Sequence, residues 1–194
     1  MLPRYYRYLN ISNNPFNRQE LLDSVTTKKI HTIAMWKKWG YKDKLFKKEF
    51  HSWLDSLGCY VANAELFHIP PKEQLVWHSD MWPAQNFIKI NFVWNSDNHD
   101  MLWGRCTNAT KEINISTTTM NTEYVKYEDT EIELLEKTKI REDYPIIVNV
   151  GVPHKVINYS NTLSRWCVSI VLHHNGKRIL FDDAVNIFSE YVVD

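Results

Sequence analysis

Long apolar runs are missing from this chain. No stretch approaches the 18 residues that a membrane-spanning helix needs, and residues 1–10 are rich in Tyr and Arg with no apolar centre, so neither a membrane helix nor a signal peptide is expected. Cysteine is scarce. Cys59, Cys106 and Cys167 are odd in number and without CxxC spacing, which argues against a disulfide framework or a structural zinc site and for a reducing, cytoplasmic setting. Net charge is absent too, because 23 Lys and Arg balance 23 Asp and Glu. No global field therefore draws in nucleic acid or an anionic membrane, and neither is expected as a partner. The lysines at 42, 44, 47 and 48 are interleaved with Asp43 and Glu49 and read as a solvated helix face. P-loop, GxGxxG and HExxH motifs do not occur. Nor does an internal repeat or a low-complexity linker, so residues 1–194 read as one domain.

Aromatic residues are plentiful, with 8 Trp, 10 Tyr and 8 Phe, enough for a compact core or a lined pocket. The first third reads helical. Asn17 is placed to cap a helix, with Glu20 at the capping-box position and Leu21, Leu22 and Val25 following. Signals over residues 30–39 are mixed. Phe46, Phe50, Trp53 and Leu57 make one apolar helical stripe, which Gly58 ends. From Cys59 the pattern turns to strands, over residues 60–69, 75–80, 87–94, 101–105, 145–150, 156–157 and 163–172. In the third of these, Lys89, Asn91 and Val93 face opposite to Ile88, Ile90, Phe92 and Trp94. Residues 107–122, rich in Thr and Asn, read as a loop, and 123–142 as either an edge strand or a short helix. The fold class expected is mainly β with N-terminal helices and a double-stranded β-helix core of jelly-roll or cupin-like type. Residues 1–58 form a helical support, 59–172 the core and 173–194 a C-terminal extension.

Chemistry concentrates in three segments. In Trp77-His78-Ser79-Asp80, residues i and i+2 of a strand share a face, so an imidazole and a carboxylate address one point. With 8 histidines in the chain, chance alone supplies roughly 0.4 such pairs, so this motif decides little by itself. In the second segment, Val150-Gly151-Val152-Pro153-His154, a histidine follows a tight turn. Two histidines and one carboxylate form the facial triad that suits non-haem Fe(II), filling three of six octahedral positions. The third segment carries Arg165 in an otherwise apolar strand, 165 − 154 = 11 residues after the second histidine. A buried arginine needs an anion, and a dicarboxylate such as 2-oxoglutarate supplies one by bidentate pairing. Ser169 shares its strand face.

The order His-x-Asp, then Gly-x-Pro-His, then Arg on the next strand resembles the Fe(II)/2-oxoglutarate-dependent oxygenases, in particular their small, phage-encoded members. The runs Lys89-Ile90-Asn91-Phe92-Val93-Trp94, Met101-Leu102-Trp103 and Pro145-Ile146-Ile147-Val148-Asn149-Val150 carry the same resemblance, which covers about residues 60–172. It implies that His78, Asp80 and His154 ligate Fe(II), and that Arg165 holds the far carboxylate of 2-oxoglutarate. Dioxygen and 2-oxoglutarate would be consumed in hydroxylating a peptidyl side chain or small metabolite, giving succinate and CO2, in the cytoplasm of a host or virus-infected cell. Many members carry Ser two residues after the Arg. Here Cys167 stands there, Ser169 is the substitute, and Asn91 is a further candidate for the near carboxylate or the substrate.

Two other functions fit the same pattern: a non-catalytic jelly-roll binding or structural module with a vestigial metal site, and a cupin-type metal enzyme without 2-oxoglutarate. The latter would have no need of a buried cation at Arg165. Trp77, Trp82, Trp94 and Trp103 are candidates to wall a cavity, though each reads first as ordinary core. Asp97, His99 and Asp100 read as solvated turn residues and His173-His174 as a surface pair. The cysteines read as small buried hydrophobes.

Overall fold

A computed structural model describes residues 5–12, 14–17, 20–21, 34–40, 44–80, 85–95, 98–107, 114–117 and 123–193, with the backbone alone for 34–38. Its core is a long antiparallel ribbon wound into a barrel. Eight strands carry it: β3 (Cys59–Ile69), β4 (Trp77–Ser79), β5 (Ile88–Trp94), β6 (His99–Cys106), β9 (Ile132–Lys139), β10 (Ile146–Asn149), β11 (His154–Asn158) and β12 (Arg165–His174). The outgoing four pair antiparallel with the returning four, β3 with β12, β4 with β11, β5 with β10 and β6 with β9. Alternate rungs fall into opposite sheets. One sheet holds β10-β5-β12-β3 and the other β4-β11-β6-β9. That ladder is the double-stranded β-helix, and the fold is mostly β in two antiparallel sheets, as expected.

Additions widen both sheets. β1 (Tyr6–Leu9), β2 (Ala34–Gly40) and β14 (Val192–Val193) extend the larger one, and β13 (Lys177–Arg178) pairs with β12. β7 (Asn114–Thr117) and β8 (Glu123–Tyr127) join the smaller beyond β4. The helical reading of the first third therefore holds for α1 (Lys48–Ser56), while the sheet takes Tyr6–Leu9 and Ala34–Gly40. The capping pattern after Asn17, and Trp82, Lys42, Asp43 and Asp97, lie largely or wholly outside the described residues. Part of the 107–122 loop is strand β7, and 123–142 resolves as β8, a 3-10 turn and edge strand β9.

Period-two alternation sorts the side chains of the larger sheet. Leu66, Ile88, Ile90, Phe92, Val168, Ile170 and Leu172 face outward and are covered by Phe50 and Leu54 of α1 and by Phe181 and Ala184 of α2 (Phe181–Ile187). α1 stops where Gly58 takes a left-handed φ of 67° and its N–H bonds the Asp55 carbonyl at 3.0 Å. The opposite face, with Ile69, Val93, Ile146, Val148 and Cys167, meets Met101, Trp103 and Val156 of the smaller sheet inside the barrel. Polar groups on this inner face are the ones available for chemistry. No helix among the described residues is long and apolar enough to cross a membrane.

Candidate metal centre

The ladder brings the first two segments together. β4 and β11 pair with His78 directly opposite His154, so both imidazoles stand on one face with ring centroids 4.2 Å apart. The Asp80 N–H bonds the Val150 carbonyl at 2.9 Å, which fastens the residue after β4 to the turn that precedes His154. That turn is held in turn by the Val150 N–H on the Phe87 carbonyl (2.9 Å) and by the Gly151 N–H on Asn149 Oδ1 (3.2 Å). Gly151 is required for space: a Cβ there would coincide with the backbone carbonyl of Gln85. Gly151→Ala must push the turn that sets His154 and holds the Asp80 N–H away from the Gln85–Asn86 backbone. We expect it to cost about 1–3 kcal/mol, as overpacking does, and to weaken metal binding. Thermal unfolding and a metal titration check this, and a variant that matches the wild type in both contradicts it.

Each imidazole presents its nitrogens in the same way. Nδ1 of His78 lies 2.9 Å from the Val76 carbonyl and Nδ1 of His154 lies 2.9 Å from the Val152 carbonyl. A carbonyl only accepts, so Nδ1 donates and Nε2 keeps its lone pair. Both Nε2 atoms point at Asp80 Oδ1, at 3.5 Å from His78 and 3.8 Å from His154. One ligand atom from each residue lies within 4.8 Å of the others. Metal bonds of about 2.1 Å at right angles would set neighbouring ligand atoms about 3 Å apart, a closure that small side-chain rotations supply. The donor set fits a divalent ion.

The protonation states favour it. Burial, and then the neighbouring His78, push the His154 pKa down to about 3 against the pull of Asp80, so His154 is neutral at physiological pH. Burial alone would raise the Asp80 carboxyl. The Lys89 ammonium is the largest of the opposing effects, and the carboxyl is held well below the usual range. Lys89 reaches Asp80 Oδ2 at 2.8 Å and Glu65 Oε2 at 2.7 Å. Lys89 and Glu65 are site residues that were not among the candidates read from the sequence. Their signal is a lysine and a glutamate in the middle of two strands whose neighbours are apolar, where a charge without a partner is costly. Arg178 was missed as well. Asp80 and Glu65 act on its charge, and it lies 4.8 Å over the Phe87 ring.

Arg165 opens β12 on the inner face and is 3% exposed. Its side-chain partner is the Cys167 thiol, no carboxylate is paired with it among the described residues, and its Nε has no hydrogen-bond partner. Burial lowers its pKa. Asn158 fixes the approach to it. Its Nδ2 lies 3.2, 3.0 and 2.9 Å from the carbonyls of Ile69, Pro70 and Leu163, and its Oδ1 accepts the Ser160 N–H at 3.1 Å. Ser169 and Asn91 lie opposite each other on the inner face, where the Ser169 hydroxyl donates to Asn91 Oδ1 at 2.6 Å.

Trp94 packs into the outer cluster as ordinary core, and Trp77 alternates with His78 and lies buried against Gly104. Trp103, opposite His154, is the inward one and stacks on Tyr6 at 5.4 Å. His99 and Asp100 are buried on β6, not solvated, and Asp100 pairs with Lys137 at 2.7 Å. His173 is partly buried and bonded to the Tyr60 hydroxyl at 3.2 Å. Cys59 and Cys167 are buried and free, as expected, whereas Cys106 is partly exposed.

No family model matches the chain, and no curated protein matches it in sequence. Among solved structures it is similar to a cupin 2 domain-containing protein from Halorhodospira halophila (9% identity, 96% of this chain and 92% of that one, TM-score 0.33). It is also similar to vicilin from Corylus avellana, hazelnut (13%, 69% and 28%, 0.34), and to an oxalate oxidase (14%, 62% and 47%, 0.27). The chain thus spans 28% of the vicilin and 47% of the oxalate oxidase.

Proposed function

We propose that this chain is an Fe(II)/2-oxoglutarate-dependent oxygenase that hydroxylates a peptidyl side chain or a small metabolite, with succinate and CO2 as co-products. One observation carries the proposal: the barrel that gathers the His-Asp-His triad also buries Arg165 on its inner face, with Nε unpartnered and, among the described residues, no carboxylate in an ion pair with it, Glu142 acting on its charge only through space. A cation kept out of water at that cost needs an anion for at least part of its working cycle. A metal centre that works without a diacid has no use for it.

The bound iron would supply the activation of dioxygen. The rest falls to the chain. His78 and His154 offer Nε2 lone pairs, with the Val76 and Val152 carbonyls fixing each ring. Asp80 offers Oδ1. Arg165 would take the far carboxylate of 2-oxoglutarate through two parallel N–H groups. The Ser169–Asn91 pair lies four residues along the same face and is suited to the near end of the cosubstrate. Trp103 and its neighbours exclude water.

Purified protein supplied with Fe(II) and ascorbate is expected to convert 2-oxoglutarate slowly to succinate even without substrate, and a chelator is expected to stop it. Metal-loaded protein that neither binds 2-oxoglutarate nor forms succinate overturns the proposal. Iron binding without 2-oxoglutarate binding would point instead to a metal enzyme of cupin type, and no metal binding at all to a non-catalytic module.

A further inference from the structure

We infer that Lys89 is a positioning residue that limits Asp80 to a single metal bond and thereby keeps one more coordination position open. The inference rests on the metal site in the proposed function. The two oxygens of Asp80 are addressed by different groups. Oδ1 faces the two imidazoles at 3.5 and 3.8 Å, and Oδ2 takes the Lys89 ammonium at 2.8 Å. Lys89 is held from its other side by Glu65 Oε2 at 2.7 Å, so it is not free to leave. Lys89 and Glu65 are 4% and 2% exposed, and water does not compete for the ammonium.

Counting positions shows the consequence. Two imidazoles and one carboxylate oxygen fill three of six octahedral sites. An unrestrained aspartate can chelate, which would fill a fourth and leave two. A chelating 2-oxo acid together with dioxygen needs three. The charges agree with this role. Glu65 and Lys89 cancel, so the pair constrains Asp80 without changing the single negative charge that the triad offers to a dication.

Removing Lys89 alone would take from the buried Glu65 the ammonium it meets at 2.7 Å, so the informative variant is Glu65→Gln/Lys89→Met, which deletes the pair. Mn(II) alone is the probe, and its bound waters are counted from the broadening of its electron paramagnetic resonance lines in 17O-enriched water. The wild type is expected to hold about three waters. The variant is expected to bind Mn(II) with affinity lower by no more than about 100-fold and to hold one water fewer. Glu65→Gln/Lys89→Gln, which keeps an N–H donor for Oδ2, is expected to restore the wild-type count. Equal counts in the wild type and the Met variant overturn the inference, as does a folded Met variant that binds no Mn(II). If the Met variant does not fold, the wild-type count still decides, because a wild type with one water fewer already has a chelating Asp80. A wild type that binds no Mn(II) overturns the metal site itself, a distinct result.

Discussion

Asp80→Ala and His154→Ala are each expected to abolish succinate formation and to weaken metal binding by more than about 100-fold, the upper range for losing a residue that merely supports a ligand. The two should differ in stability. His154 is buried at 4% exposure, so its truncation leaves a cavity. Asp80→Ala leaves Lys89 still paired with Glu65 at 2.7 Å, with one fewer carboxylate in the cluster, and the fold should tolerate it better. His78 is partly exposed, and His78→Ala should combine full loss of metal with a small loss of stability. Metal titration and chemical unfolding of the apo proteins measure both quantities. Unchanged succinate output in any of the three variants would falsify the site. Output lost in proportion to stability alone would mean that the fold was being read and not the metal.

The expectation was available because its parts are local. His78 and Asp80 are two residues apart on a strand, and period two is enough to put them on one face. Arg165 stands out as a charge opening an apolar run. What the sequence does not contain is the register that sets His78 opposite His154, since β4 and β11 are separated by most of the barrel and meet only when the ribbon winds. The Lys89 cluster was hidden for a similar reason. Alternation places Lys89 on the inner face, but its partners come from β3 and from the segment after β4, and nothing local links them. The strands that were missed are additions at the margins of the barrel. Ala34–Gly40 has two lysines and a terminal glycine, and Asn114–Thr117 is polar apart from Ile115. Such segments owe their extended backbone to the neighbour they pair with, so propensity says little about them. His99 and Asp100 were misjudged because the turn chemistry just before them was extended by two residues into what is β6.

Arg165→Met is expected to separate the cosubstrate site from the metal site. A guanidinium–carboxylate hydrogen bond is worth about 1.5–3 kcal/mol, so losing a bidentate pair should weaken 2-oxoglutarate by about 10²–10⁴-fold, with metal affinity unchanged. The apo protein should respond in the opposite direction. Arg165 is a buried charge whose hydrogen-bond partner is a thiol, with Glu142 acting on it only through space and its Nε orphaned, and replacing such a group with an apolar side chain of similar length is often neutral or stabilising by about 1–4 kcal/mol. Thermal unfolding with and without metal and 2-oxoglutarate reads both effects: the apo midpoint holds or rises, while the gain on adding 2-oxoglutarate disappears. An arginine kept for architecture would give the reverse, with a falling apo midpoint and an undiminished response to 2-oxoglutarate. Stability lost in the empty protein and stability lost on cosubstrate addition cannot come from the same cause, because a residue that holds the barrel together has already satisfied its charge before any ligand arrives.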